Sequence, residues 1–587
     1  METTPATEKA RSTPLVMSAN ATSTKETARP DLDRVLEALK GKAREFARLS
    51  VDEKRKLLAE CRALLPTVAS DWVAGGCKAK GLIVTNPNAG EEWLGGPVTT
   101  IRNVRLLEES LASIIASGKP AFGKSARTRT DGKVEIDVFP ASGHDKALFT
   151  GFSGKIVLEK GLTEKDARER QASFYSKKDP EGGVSLILGA GNVSSIPPMD
   201  ALYKMFVDGL VCIVKMNPVN EWVGPILERA FKPLIARGYL AIAYGGGDVG
   251  AYLSSHALID DIHITGSDRT HDLIVWGPPG PDRDRRLAAN DPILKKPITS
   301  ELGNVSPVVV VPAEYSESEL WFQARNVCSM VVNNGSFNCN AAKVLIVSAA
   351  WKQREQFRKL VAKALGEVPP RKAYYPGAAD RYKTLTEGRD ALKIGTPSDG
   401  ELAWAFLQGV DSADEKDPLW RTEPFCGILT ETALPESDPV EFLAKATLFC
   451  NDRLWGTLNA CIIIHPKHEH DPTVGAALDR SIDDLRYGTV AVNHWPALGY
   501  GFVTPPWGGH PSATLANIQS GLGWVHNTYM IEGIEKGVIR GPLKVSPKPA
   551  WFYDNSATAK LGNKLVKFEA SPSWWKIPGM AITAMGG

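Results

Sequence analysis

The sequence has almost no net charge, no clustered cysteines and no long apolar run, and each absence removes a class of protein. Its 69 basic and 67 acidic residues nearly cancel, leaving +2. That balance gives no electrostatic footprint for a nucleic acid or another polyanion. The eight cysteines, at positions 61, 77, 212, 328, 339, 426, 450 and 461, form no CxxC pair and no Cys/His cluster at zinc-ligand spacing. A metal centre and a disulfide-built secreted fold are therefore not expected, whereas a reducing, cytoplasmic setting is. Cys212 in LVCIV and Cys461 in ACIII read as small buried hydrophobes. No apolar stretch approaches the roughly 20 residues of a membrane helix, so no membrane span is expected. The first thirty residues have no apolar core of a signal peptide, and Glu2, Glu8 and Glu26 break the acid-poor pattern of a transit peptide. They read as a flexible tail.

What is present is the balance of an ordinary globular protein, 43% hydrophobic and 23% charged over 587 residues. This length calls for at least two packed domains. After Pro30, Leu32, Val35, Leu36 and Leu39 recur at helical spacing, and Ser50 to Glu53 has the form of a capping box. Leu57, Leu58, Cys61, Leu64 and Leu65 mark one side of the helix that follows. The pieces VEIDVF and GKIVLEKGL, between 130 and 160, read as a hairpin or small sheet. From 184 to 311 short β runs (VSLIL, VCIVK, YLAIAY, DIHI) alternate with helical stretches, the pattern of parallel strands joined by right-handed crossovers. A second α/β region follows, with VSPVVVVP, KVLIVS, LNACIIIHP and YGTVAVN as its strands. No repeat of short period is present. From about 546 the chain carries Trp551, Pro572, Trp574, Trp575 and Pro578 without clear periodicity. Such aromatics suggest docking onto the body or a second subunit. The end, IPGMAITAM, is short and has no basic face, which argues against a membrane-surface helix.

After VSLIL comes Gly189-Ala190-Gly191-Asn192-Val193-Ser194, nearly a GxGxxG dinucleotide loop. Ser194 replaces the third glycine, and Pro197-Pro198 fall where the phosphate-binding helix should already run. The next strand also ends in Lys215, where an acidic residue would take the ribose hydroxyls.

Five ordered segments carry more weight: ITSELGNVSP (298–307), NNGSFNCNAAKVLIV (333–347), EPFCG (423–427), NDRLWGT (451–457) and YGTVAVN with PPWGGHP (487–511). From roughly residue 30 to 545 the chain resembles the aldehyde dehydrogenase superfamily, as a divergent member. The resemblance implies an α/β fold with a Rossmann-type cofactor domain (31–130 and 180–302) and an α/β catalytic domain (303–519). It also implies a small oligomerisation β element (131–179 and about 520–545), leaving 1–30 and 546–587 outside. It makes Cys339 the nucleophile and Glu301 the base that activates the hydrolytic water. Asn192, with the Cys339 backbone N–H, becomes the oxyanion donor. Lys215, Gly245, Gly250, Ser267, Glu423 and Phe425 match cofactor-binding positions, and the cofactor implied is NAD or NADP. The chemistry needs such residues, because a thiolate must add to the carbonyl before hydride leaves, and the thioester must then be hydrolysed.

The departures are specific. GSFNC has one residue more than the usual spacing before the cysteine, and Ala190-Gly191 stand where the family has Pro-Trp. Pro424 and Cys426 replace the usual Ile and Gly, and the SG signature after PWGGHP is missing. Pro218 replaces the glutamate that would repel a 2′-phosphate, which leaves NAD and NADP both open. Substrate walls fall on Phe337 and Asn338, on Met199 to Tyr203, and on His494, Trp495, Tyr500 and Phe502, as an aromatic tunnel or as plain packing. The expected function is oxidation of a small-molecule aldehyde to its carboxylate by a homodimer or homotetramer. The alternatives are a coenzyme A-acylating dehydrogenase and a non-catalytic scaffold of the same fold.

Overall fold

In the computed structural model, which describes residues 25–587, two sheets organise the chain. The first has five parallel strands in the spatial order Leu240–Ala243, Val211–Lys215, Val184–Leu188, Asp261–Gly266 and Ile298–Leu302. Val184–Leu188 and Val211–Lys215 are buried at every position, which is why they read as unbroken apolar runs. The first strand in sequence lies at the centre. The chain builds outward to one side through Val211–Lys215, then returns to the other through Asp261–Gly266. The reversal leaves a crevice beyond the carboxyl ends of Val184–Leu188 and Asp261–Gly266, where open α/β sheets bind ligands.

Helices cover this sheet for the reasons their sequences state. Arg29–Arg48 buries Leu32, Leu36 and Leu39. Val51–Lys80 begins at the expected capping box, in which Ser50 Oγ accepts from the Glu53 N–H at 3.2 Å and Glu53 Oε2 accepts from the Ser50 N–H at 2.8 Å. Both helices share one core with the sheet. Of the expected N-terminal tail, residues 1–24 lie outside the described part. Thr27 is pinned to the sheet's edge, exchanging hydrogen bonds with Tyr244 at 3.1 and 3.0 Å.

The second sheet has eleven strands. Its parallel centre runs through Thr489–Val492, Asn459–Ile463, Pro307–Val310, Val344–Ser348, Ile428–Leu434 and Trp404–Val410. Antiparallel Ala391–Ile394 closes one edge. At the other edge Ile534–Arg540 pairs parallel with Thr489–Val492 and antiparallel with Ser153–Leu158. Val134–Phe139 and Ser125–Thr128 continue outward from there. The hairpin read from 130–160 is thus continuous with the larger sheet.

The chain from 546 onward is more ordered than its sequence suggested. Thr558–Ala570 and Ile577–Met585 are helices packed on each other through Leu561, Phe568 and Met580. Glu569, 3% exposed, anchors the first of them. It accepts from Arg102 at 3.0 Å and from Arg105 at 2.8 Å, and Arg102 also holds Asp145 at 2.9 Å.

Candidate active site

Glu301 comes from the first sheet and Cys339 from a loop that leads into the second, and the two lie together. Glu301 sits near the carboxyl end of Ile298–Leu302 and is 2% exposed. Cys339 lies in the loop after helix Glu317–Val332, just before strand Val344–Ser348. Among the described residues it is the one cysteine that is not buried. The carboxyl and the thiol are neighbours, each shifting the other's ionisation. Burial pushes Glu301 up to about 8, with Asp200 and Glu423 adding to the rise and contacts to Cys339 and Trp507 opposing it. Burial also holds the Cys339 thiol well above its ordinary range, reinforced by Glu301 and Glu423 and opposed by Lys343. The resting pair is therefore a neutral thiol beside a carboxyl poised to ionise slightly above neutrality. Glu301 Oε1 and the Trp507 indole N–H are both buried without a direct hydrogen-bond partner.

The loop before Cys339 turns left-handed. Asn334, Gly335 and Ser336 have φ of 54°, 64° and 69°. Asn334 holds this turn, its amide donating to Asn192 O at 3.0 Å, Phe337 O at 3.2 Å and Asn338 Oδ1 at 3.1 Å. Asn192 follows the central strand of the first sheet, and its Nδ2 donates to Phe337 O at 2.9 Å. One of its two amide hydrogens is thereby committed to the cysteine loop. The Asn192 carbonyl is held by Lys80 at 3.0 Å, and Lys80 is itself buried against Glu92 at 2.7 Å.

The remaining matched residues divide into two groups. Lys215 ends Val211–Lys215 at the crevice, 7% exposed, and burial pushes it down to about 8 against the pull of Asp248, Glu221 and Glu26. Gly245 has φ +137°, a conformation closed to a residue with a side chain, and it precedes helix Gly247–Ser255. Gly250 lies in that helix, where an added Cβ would meet nothing nearer than 3.8 Å. Ser267 caps helix Asp268–Trp276, its hydroxyl accepting from the Thr270 N–H at 3.2 Å. Asp268 lies in that first turn.

Glu423 and Phe425 stand on the far side, on the Cys339 side of the site. A Cβ on Gly303 would fall 2.1 Å from Glu423 Oε2, so the carboxylate lies against bare backbone. Lys343 Nζ is 3.6 Å from Glu423 Oε1, which is buried without a hydrogen-bond partner. Phe425 adopts a left-handed φ of 44° and packs edge-on to Tyr375, ring centres 4.8 Å apart. A side-chain-free turn at the crevice, a buried lysine at a strand end and an orphaned carboxylate oxygen together fit a nucleotide cofactor.

The four aromatics left open between a tunnel and plain packing separate. Tyr500 joins Tyr203, Trp507 and Cys339 in one cluster, and its hydroxyl lies 2.7 Å from Ser195 Oγ. Trp495 donates to Asn340 O at 2.7 Å, bracing the residue after Cys339. His494 and Phe502 are core instead, His494 bonded to Pro542 O at 2.8 Å and Phe502 stacked on Phe139 at 3.6 Å. Sequence reading also missed a buried polar group next to Glu301. The strand register sets Thr265 beside Glu301 and His263 beside Thr299, and Asp200 accepts from Thr265 Oγ1 at 2.7 Å. Lys343 was equally missed, although a lysine inside AAKVLIV is a signal. It is 1% exposed and donates to Asn338 O and Ala341 O, at 2.8 and 2.9 Å.

Two packed sheets, with a thiol and a carboxyl side by side and a glycine-lined crevice beside them, define a class of two-domain α/β protein with solved representatives. No family model matches the sequence. A putative aldehyde dehydrogenase from Burkholderia cenocepacia is 19% identical, covering 87% of this chain and 91% of that one, with TM-score 0.58. A glyceraldehyde-3-phosphate dehydrogenase from Methanocaldococcus jannaschii, complexed with NADP, is 13% identical over 88% of this chain and 96% of that one, with TM-score 0.59. An NAD-dependent aldehyde dehydrogenase from Sinorhizobium meliloti is 16% identical over 89% of each chain, with TM-score 0.58. The chain has the aldehyde dehydrogenase fold.

Proposed function

We propose that this protein oxidises a small-molecule aldehyde to its carboxylate with NAD or NADP, through a thioester on Cys339. The observation that carries the reading is the pairing of the one accessible thiol with a buried carboxyl raised to about 8. In its ionised form Glu301 takes the thiol proton, and the Cys339 thiolate adds to the aldehyde carbon. The second amide hydrogen of Asn192 and the Cys339 backbone N–H stabilise the oxygen of the adduct, one such donor being worth roughly 2.7–4 kcal/mol. A bound nicotinamide dinucleotide supplies the hydride acceptor. Lys215, the turn around Gly245, Gly250, Ser267, Glu423 and Phe425 hold that cofactor. Once the thiol proton has passed from Glu301 to solvent, the ionised carboxylate takes a proton from water, the hydroxide adds to the thioester carbon, and the C–S bond breaks to release the acid and free the Cys339 sulfur. Exposed strand Ser125–Thr128, at the free edge of the larger sheet, supports assembly as a homodimer or homotetramer.

The test is a panel of aldehydes assayed with NAD and NADP separately. Cys339→Ser is expected to abolish turnover, and wild-type activity in that variant refutes the reading. Coenzyme A added to the same assay reports the acylating alternative as an acyl-CoA product, which a water-activating Glu301 disfavours.

A further inference from the structure

The last helix, Ile577–Met585, has no charged residue and a single polar side chain, Thr583, and one of its two faces is uncovered. Ile577, Met580 and Ala584 face inward onto Leu561, Leu565 and Phe568. Outward stand Ile582 and Met585, each 67% exposed, preceded by Trp574 at 58% and Trp575 at 93%. These four are among only eleven exposed large hydrophobic side chains in the described residues, yet they fall within twelve positions of one another. Scattered exposed hydrophobics need no explanation, but a contiguous patch does. A helix without a polar face is normally covered on all sides.

The charge around the patch indicates what covers it. Residues 556–587 carry four lysines and a single acid, Glu569. That acid is buried between Arg102 and Arg105 and is unavailable at the surface. Lys560, Lys564 and Lys567 are exposed and share one side of helix Thr558–Ala570 at helical spacing. Lys564 reaches across to the last helix, donating to Gly579 O at 2.7 Å and Thr583 Oγ1 at 2.6 Å. Lys576, next to the tryptophans, donates to Lys567 O and Ser571 O, at 2.9 and 2.6 Å. The partners of these two ammonium groups are neutral oxygens, so their charges stand uncompensated. The basic face missing from IPGMAITAM in the sequence is supplied by the preceding helix.

We propose that this C-terminal helical hairpin docks the protein on an anionic lipid surface. Tryptophan side chains settle at the level of lipid headgroups, and lysines beside them gain from anionic lipid. A second copy of the chain fits less well, because a two-fold contact through this patch sets the same lysines against one another. Docking of this kind needs no membrane span, and no helix among the described residues is long and apolar enough to make one. The inference is independent of the chemistry proposed for Cys339.

The experiment is co-sedimentation of the full-length protein with vesicles of phosphatidylcholine alone or mixed with phosphatidylglycerol. Binding is expected to the mixed vesicles at low salt, to fall as salt rises, and to be weak on neutral vesicles. Trp574→Ala with Trp575→Ala should release the protein. Lys560→Gln and Lys567→Gln should each weaken binding roughly 5-fold, since each lysine near an anionic surface is worth about 1 kcal/mol. Lys560 and Lys567 are exposed, so their variants should keep the wild-type melting profile and test the surface without a folding defect. Absence of binding to anionic vesicles at low salt overturns the proposal. So does binding that survives both sets of substitutions. Sedimentation velocity supplies the third refutation, if Trp575→Glu splits an oligomer while vesicle binding persists; the patch is then an interface between copies.

Discussion

Replacing Glu301 by glutamine tests both the chemistry and the burial of that carboxyl. The folded protein holds the Glu301 proton up to about 8, whereas the ordinary value is 4.5. Between those values the folded state binds more protons than the unfolded chain, so stability falls as pH rises through this window. At pH 7, Glu301 is thus expected to cost about 3 kcal/mol relative to a group that stays neutral. Glutamine has nearly the same shape and never ionises, so Glu301→Gln should gain about that much on the wild type between pH 4.5 and 7. Urea denaturation of both proteins at pH 5, 6 and 7 measures the difference. Catalysis should move the opposite way. With about one in ten carboxyls ionised at pH 7, steady-state turnover of the wild type should rise roughly tenfold per unit up to pH 7 and level off above 8. The variant should lose the hydride burst together with turnover, because the thiol proton then has no acceptor and the Cys339 thiol is held well above its ordinary range. A stability gap that does not change with pH would refute the buried, raised carboxyl, and undiminished steady-state turnover in the variant would refute its role as base.

Two further outcomes follow from other parts of the molecule. Glu569→Ala leaves Arg102 and Arg105 buried with one carboxylate fewer, which should cost about 3–5 kcal/mol. Denaturant unfolding measures that loss, and limited proteolysis should show the C-terminal hairpin cut first. Pro218→Glu introduces a negative charge three residues after Lys215, where it would repel a 2′-phosphate. The KM for NADP should rise with little change for NAD, and equal effects on both would show that position 218 lies away from the ribose.

Much of the fold was legible because its signals are local. Val184–Leu188, Val211–Lys215 and Val344–Ser348 are buried on both faces, so their apolar runs alone mark them as interior parallel strands. The Ser50 capping box is an interaction over three residues and needed nothing else. Helix Thr558–Ala570 escaped notice for the converse reason. Its stabilising contacts are remote, Glu569 reaching arginines more than 460 positions earlier in the chain.

The site shows the same division. Cys339 was singled out in the sequence by its place in NNGSFNCNAAKVLIV among five ordered segments, outside the apolar runs that hold Cys212 and Cys461, and the same set pointed to Glu301. Tertiary structure alone decided what those two groups are to each other. Burial raises the carboxyl beside the thiol, and no spacing along the chain contains that fact. Packing also separated Tyr500 from His494 and Phe502, three aromatics within nine positions of one another, sending the first to the site and the others to the core. The sequence by itself determined strands, caps and the reactive residue types, because these depend on near neighbours and on covalent chemistry. The fold determined protonation, pairing and the uncovered apolar face of the last helix, because these depend on what distant residues exclude water from.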